Sequence, residues 1–393
     1  MFYKEKKLED SSAGKAPEDW QFSKLGEILT LSNGERPTIL ENGTIPVYGA
    51  NGIMGYTSKP LAENDFSIII GRVGASGEVH LGKGKIWISD NAIYSKSYDR
   101  KRANLPFLFY LLKFKNLAQF ASKTTHPIIT QTFLNNFSLK CPPLEEQHKI
   151  VKVLSCVDLA IQKTDEVIAK IERLKKGLMQ QLLTKGIGHK EFKDTEIGKI
   201  PKEWEVVNLG DLSIAEIVLG QSPPSSTYNS ERKGLPFLQG KMEFGDIYPQ
   251  PTTFCSEPAK IAKPNDILLS VRAPVGAVNI AQDRYCIGRG LSAIRPNKTI
   301  FSHLFLFYYL RYAERRFSLL SMGSTFKAIR KAEIENFSVP LPTLKEQQLI
   351  AEILSTANNT AELERREKTK LERVKLGLMD LLLTGKVRVK VAD

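Results

Sequence analysis

Two stretches of the chain carry a long helical pattern of apolar positions. From Leu144 to about Thr184 there is no proline and a single glycine, Gly177. Ile150, Leu154, Val157, Ile161, Thr164, Ile168, Ile171, Lys175, Leu178 and Leu182 recur there in alternating steps of four and three, and eight of these ten positions are apolar. Such spacing lays one narrow stripe along a helix, the stripe that pairs with another helix. Between Leu344 and Thr384 the same steps pick out Ile350, Leu354, Ala357, Ala361, Glu364, Lys368, Leu371, Lys375, Leu378 and Leu382, seven of them apolar, around the single glycine Gly377. Pro142-Pro143 and Pro342 stand just before the two starts, where proline suits a first helical turn. A helix of this length spans roughly 60 Å at 1.5 Å per residue. One globule cannot cover that length, so the pattern predicts that the two helices pair with each other.

The middles of the chain read differently. Phe66–Ile70, Ile86–Ser89, Ile267–Val271 and Ala277–Ile280 are short strand-like runs, and helix-like stretches follow at Pro106–Lys115 and His303–Arg316. The predicted fold class is therefore mixed α/β, with two globular domains per chain and a long helix after each.

The two halves repeat. Pro17-Glu18-Asp19-Trp20 recurs as Pro201-Lys202-Glu203-Trp204, and Leu25-Gly26 as Leu209-Gly210, at an offset of 184. Pro142-Pro143-Leu144-Glu145-Glu146-Gln147 recurs as Pro342-Thr343-Leu344-Lys345-Glu346-Gln347, and Arg173–Thr184 as Arg373–Thr384, at an offset of 200. The second half thus carries 16 more residues, all in its middle. Only faint landmarks link the middles: Arg72 with Arg272, Phe109-Tyr110 with Phe307-Tyr308, and Phe137 with Phe337. A repeated frame with divergent middles predicts two different readers on one scaffold. The boundaries are a first domain at 17–143, a helix at 144–186, a linker at 187–200, a second domain at 201–343 and a helix at 344–386. If a pseudo-two-fold relates the halves, the helices run antiparallel with a domain at each end.

Composition narrows the class. At 393 residues, 42% hydrophobic and 25% charged, the chain has too much apolar material to be mainly disordered. With a mean hydropathy of −0.22 and no apolar run approaching the ~20 residues of a bilayer span, no membrane helix is expected. The opening residues MFYKEKKLEDSSAGK have no apolar core of the kind a signal peptide needs. Cys141, Cys156, Cys255 and Cys286 are scattered, so neither structural zinc nor a disulfide framework is expected, and the cytoplasm is the expected location.

The net charge of +13 and pI near 9.4 favour nucleic acid or an acidic partner. Each globular domain carries an excess of +4, whereas the two helical segments are nearly balanced. The basic residues fall among glycine, serine, threonine and proline, and solvated turns share that composition. Chosen by charge and loop context alone, the DNA-binding candidates are Arg72, Lys83, Lys85, Lys123, Arg232, Lys241, Arg272, Arg289, Lys327, Arg330 and Lys331. Glycine lets backbone approach a phosphate, and arginine or lysine supplies charge or bidentate readout of guanine.

Catalytic motifs are not found. Gly77–Gly84 approximates a phosphate-binding loop, but Gly84 stands where Mg²⁺ needs a hydroxyl, and a strand-like run follows where a helix is required. Ser222-Pro223-Pro224-Ser225 approximates the tetrad of amino-methyltransferases without its amide or aromatic residue. The histidines His80, His126, His148, His189 and His303 form no metal-ligand pair, and there is no G-x-S-x-G.

Two variable domains, each closed by P-x-L-x-E-Q and a long helix ending in G-L-M-x-x-L-L-T, resemble the specificity (S) subunit of type I restriction-modification systems. The resemblance runs from Pro17 to Lys386. It implies that each domain reads one half of a split double-stranded DNA site. The helices would set the spacing and dock two methyltransferase (modification) subunits. It also implies no catalytic residue, metal or cofactor in this chain: S-adenosylmethionine belongs to the modification subunits, and ATP and Mg²⁺ to restriction subunits where these exist. Two other classes fit the residues less well. One is a coiled-coil scaffold for RNA or an acidic protein; the other is a nuclease using acids such as Asp65 or Asp266.

Overall fold

The computed structural model describes residues 2–5, 8–9, 16–122, 127–320 and 328–390, so Lys123 and Lys327 lie outside the described residues. The chain forms two compact units. The first comprises Met1–Asp165 with Arg366–Asp393, and the second Glu166–Arg365. Each is a mixed α/β, sheet-rich body, and the two long helices, Leu144–Lys185 and Leu344–Leu383, each contribute residues to both. Among the described residues, no helix is long and apolar enough to cross a membrane.

In the first unit a six-stranded sheet has the order Leu29–Asn33, Ala92–Tyr98, Ala62–Gly71, Val79–Ile88, Ile45–Gly49, Gly52–Thr57. All pairs are antiparallel except Ile45–Gly49 with Val79–Ile88, where Val47 faces Trp87 and Tyr48 faces Ile88 in parallel. The run Ile68-Ile69-Ile70 shows why these residues form a central strand. Side chains alternate across a sheet; Ile68 and Ile70 pack under the helix Leu105–Phe114, while Ile69 joins Ile86 and Ile88 on the opposite face. That helix starts at Asn104, whose side chain accepts a hydrogen bond from the Phe107 N–H at 3.0 Å, and has Pro106 in its first turn.

The second unit has two larger sheets besides two two-stranded pairings. One is Ala215–Leu219, Leu291–Pro296, Ile267–Ser270, Val278–Ile280, all antiparallel. The other is Tyr228–Asn229, Thr253–Cys255, Leu235–Leu238, Tyr285–Ile287, Ile261–Ala262. Its parallel pair, Phe237 with Cys286 and Leu238 with Ile287, repeats the parallel pair of the first unit. The helix-like stretch from His303 is two helices, His303–Tyr312 and Glu314–Leu320. Residues 187–200, expected as linker, contain most of a hairpin of Phe192–Thr195 on Gly198–Pro201.

The repeated P-x-L-x-E-Q motif is structural. The Gln147 amide donates to the Pro142 and Arg102 carbonyls at 2.9 and 3.0 Å, and its oxygen accepts from the Asn104 N–H at 2.8 Å. Gln347 does the same with the Pro342 and Ile300 carbonyls and the Ser302 N–H. Each glutamine is fully buried and ties the start of a long helix to the start of an upstream helix, at Asn104 before Leu105–Phe114 or at Ser302 before His303–Tyr312.

The preceding glutamates serve two different corners. In the second unit Glu346 accepts from Trp204 Nε1 at 3.0 Å and contacts His189 at 2.9 Å. In the first, Glu146 is held by Arg388, which also binds Asp19 and Glu5. Arg388 lies on Val387–Val389, paired antiparallel with Phe2–Lys4. With Glu146 engaged by arginine, Trp20 Nε1 is buried with no hydrogen-bond partner among the described residues.

None of the predicted seam positions on the long helices is exposed. The buried seam lysine Lys175 donates to Asn358 at 2.6 Å in the second unit, and Lys375 pairs with Asp158 in the first. Asp158 also accepts from the Tyr110 hydroxyl at 2.6 Å. Lys368–Asp165 and Arg365–Glu172 add further ion pairs, each 2.7 Å and each within one unit.

Candidate nucleic-acid interface

Three of the predicted cations converge in the second unit. Lys241, Arg272 and Arg289 line one concavity of about 360 Å³, together with Gln239, Gly240, Met242, the 273–274 segment and one acid, Glu243, whose carboxylate accepts from the Gly240 N–H at 3.1 Å. They come from three separate connections: after Leu235–Leu238, between Ile267–Ser270 and Val278–Ile280, and between Tyr285–Ile287 and Leu291–Pro296. All three side chains are exposed. Lys241 Nζ stands 3.8 Å from Glu314 Oε1, while the Arg272 and Arg289 guanidiniums form no hydrogen bond or ion pair among the described residues. Unpaired arginines on a concave, solvated surface remain available to an anionic or hydrogen-bonding ligand.

The glycines flanking Arg289 answer to the protein's own packing. A Cβ on Gly290 would lie 2.3 Å from the Gln239 carbonyl oxygen, and one on Gly288 would lie 3.1 Å from the Phe237 ring. The Arg289 N–H donates to Ser222 Oγ at 3.2 Å. The Gly-Arg-Gly turn therefore presses its backbone onto the neighbouring strand end and presents the arginine outward.

The other candidates are dispersed. Arg72 lies half-buried in the connection between Ala62–Gly71 and Val79–Ile88. Lys83 and Lys85, expected in a loop, sit inside the strand Val79–Ile88, where Gly84 (φ +69°) pairs with Asn64 and Gly82 with Ser67, so that Asp65 and Phe66 together stand opposite Lys83. Lys83 lies 6.0 Å from the centre of the Phe66 ring, and Lys85 is 3.7 Å from Glu63. Arg232 is exposed in the turn before Leu235–Leu238. Arg330 caps the short helix Lys331–Glu335, its N–H donating to Glu333 at 2.7 Å, and Lys331 pairs with Glu335 at 3.2 Å. Ala328, two residues before Arg330, bridges to Arg272. Of the acids considered for nuclease chemistry, Asp65 is 3.3 Å from Arg100. Asp266 is buried in a two-pronged pair with Arg295 at 2.9 and 2.8 Å.

Backbone hydrogen bonds align the two units at this place. Gly34 N–H to Ala92, Glu35 to Ile88 and Ser89 to Tyr48 in the first unit repeat as Gly220 to Leu291, Gln221 to Ile287 and Gly288 to Leu238 in the second. Gly77 to Gly71 and Ile129 to Arg72 repeat as Gly276 to Ser270 and Ile329 to Val271. Arg272 is thereby equivalent to Val73, so the landmark pairing of Arg72 with Arg272 is off by one residue. The isolated bridges Val73–Ile128 and Arg272–Ala328 agree. The same alignment sets Asp90 against Arg289 and Asn91 against Gly290, while Asn51 lies in the tight turn between Ile45–Gly49 and Gly52–Thr57 and Lys241 opens a 3-10 turn, so these two are not matched. Asn51, Asp90 and Asn91 are exposed. A search for positive charge passes over all three.

Known proteins share this organisation. A family model for the type I restriction modification DNA specificity domain matches twice, over residues 17–173 and 201–373. The chain is 39% identical over 421 residues to a putative type I restriction enzyme MjaX specificity subunit of Methanocaldococcus jannaschii, with 99% of each covered. It is 31% identical over 423 residues to the MjaVIII specificity subunit of the same organism, covering 99% of this chain and 98% of the relative. A chain solved in work on complex assembly and conformational transition of the type I restriction-modification system is 29% identical, with a TM-score of 0.60 over 95% of this chain and 99% of the other. The chain belongs to the specificity subunits of type I restriction-modification systems. Its function is recognition of a DNA target on behalf of such a system.

Proposed function

We propose that the sheet-rich domain of each unit reads one half of a split duplex site and that the long helices set the gap between the halves. The observation that carries this reading is the concavity in which Lys241, Arg272 and Arg289 converge. Cations there neutralise phosphates, which makes binding salt-dependent, and an arginine fork matches the O6 and N7 acceptors of guanine in the major groove. The helices pair antiparallel as a coiled coil: within the first unit the partners of Asp158 and Asp165 are Lys375 and Lys368, and within the second those of Glu172 and Lys175 are Arg365 and Asn358, falling as the other number rises in each. A pseudo-two-fold relating the halves agrees with the matched glutamine locks at Gln147 and Gln347.

Two modification subunits dock on the helices. Leu174 and Leu363 in the second unit, and Val374 and Leu376 in the first, are exposed apolar residues on those helices, the kind of surface a partner helix covers. The partners bring S-adenosylmethionine, and restriction subunits, where present, bring ATP and Mg²⁺ chemistry. This chain selects the site and orients the partners on it in the cytoplasm.

The test is reconstitution. Purified chain mixed with duplex DNA and S-adenosylmethionine is expected to transfer no methyl group and cut no strand. Adding modification subunits is expected to yield methylation confined to one split sequence. Methyl transfer by the chain alone, or methylation without sequence preference in the complex, overturns the reading.

A further inference from the structure

We infer that the half-site read by the second unit contains guanine, recognised by Arg272 and Arg289, and that the domain of the first unit reads its half at the matching place without an arginine fork. The inference rests on the split-site reading above and adds a base class to it.

Phosphates are identical on every sequence, so a cation that only anchors the backbone serves both recognition domains equally. Base contacts differ between halves. The matched backbone bonds make the two concave faces comparable position by position. Where the second unit carries Arg272 and Arg289, the first carries Val73 and Asp90. Two arginines in the second unit thus correspond to no cation at the equivalent positions of the first. A cluster present in only one of two equivalent faces reads sequence.

The side-chain chemistry assigns the base. Arginine donates two parallel N–H bonds and has no acceptor, which suits the two acceptors guanine shows in the major groove and clashes with the amino group of adenine or cytosine. Arg272 and Arg289 are exposed and form no hydrogen bond or ion pair that would have to break. The turn holding Arg289 is fixed by the close approach of Gly290 to Gln239, so the fork is presented from a rigid base. In the first unit Asn91 offers an amide, which pairs with adenine, and Asp90 offers a carboxylate, which accepts from the cytosine amino group.

The experiment uses the chain assembled with its modification subunits, a duplex library randomised in both half-sites, and sequencing of methylated products. Wild-type complex is expected to show an invariant G·C pair in one half-site. Arg272→Gln or Arg289→Gln should relax that pair, lowering discrimination against A·T by about 5- to 150-fold, and leave the other half-site unchanged. Arg289→Lys, which keeps the charge, reports whether charge alone suffices; retention of most methylation with weakened guanine preference is expected. The inference fails if the relaxed position is not G·C, if every sequence weakens equally, or if both glutamine variants keep wild-type preference. Absence of any split site in the wild-type complex would instead remove the reading beneath it.

Discussion

Replacing Arg388 should unfasten the first unit at its chain ends. The guanidinium uses all five N–H donors: Nε to Glu146 at 2.9 Å, one terminal nitrogen to Asp19 and Glu5 at 2.9 and 3.1 Å, the other to Asp19 and Glu146, both at 2.8 Å. The Arg388 and Glu146 side chains are 7% and 2% exposed. Arg388→Met leaves three carboxylates around an apolar side chain, one of them buried. Removing one partner of a buried ion pair costs about 3–5 kcal/mol, a large share of the roughly 5–15 kcal/mol that holds a domain folded. For a body of about 150–250 residues this lowers Tm by roughly 6–20 °C. Thermal unfolding gives the magnitude, and amide exchange in Phe2–Lys4 and Val387–Val389 gives the location. Adding Glu146→Gln and Asp19→Asn to Arg388→Met should recover part of the loss by removing the orphaned charges. Lys202→Met, at an exposed pair 3.0 Å from Glu191, is the control and should cost under about 1 kcal/mol. A loss below about 1 kcal/mol for Arg388→Met, or accelerated exchange spread evenly over both units, refutes the reasoning.

Three further outcomes are expected. Gly290→Ala drives a methyl group against the Gln239 carbonyl, so it should weaken DNA binding by the assembled complex in a filter or gel assay by displacing Arg289 without removing any charge. The Tyr110 hydroxyl is pushed up in pKa by burial and further by Asp158. The unfolded chain releases that proton first as pH rises, so stability falls above the ordinary tyrosine range near pH 10, and Tyr110→Phe should flatten this decline in urea titrations at rising pH. Four residues inserted near Thr164 and four near Glu364 add roughly 6 Å to each helix, so methylation of a spacer library should move to a gap longer by about one or two base pairs at 3.4 Å each with both half-sites kept; an unchanged gap in an active complex would show that the helices serve only for docking.

The long helices were legible because a four-three pattern over forty residues has no competing explanation, and the helix starts at Leu144 and Leu344 coincide with the proline-bounded motif. The chemistry inside that motif was not. Nothing in the spacing says that Gln147 and Gln347 tie each long helix to Asn104 and Ser302, since these partners lie 43 and 45 residues upstream. Lys83 and Lys85 were misread as loop residues because Gly82 and Gly84 look like turn punctuation, whereas both glycines pair within the strand, with Ser67 and Asn64, and the extra residue of the bulge falls on the opposite strand at Asp65-Phe66. Arg72 and Arg272 were paired on identity alone, and the backbone bonds shift that pairing by one residue. Charge and loop context did select Lys241, Arg272 and Arg289. Their convergence was invisible because it arises from strand order, which brings three separate connections to one concavity.

Two independent readers on one frame should leave a two-part imprint on DNA, visible when methylated bases are mapped in cells with and without this gene. The expected result is a set of methylated positions that depends on the gene and falls in a two-part sequence, each part constant and the gap fixed in length but free in base composition. A single continuous recognition sequence, or an identical methylation pattern in both strains with the partner subunits expressed, would contradict it.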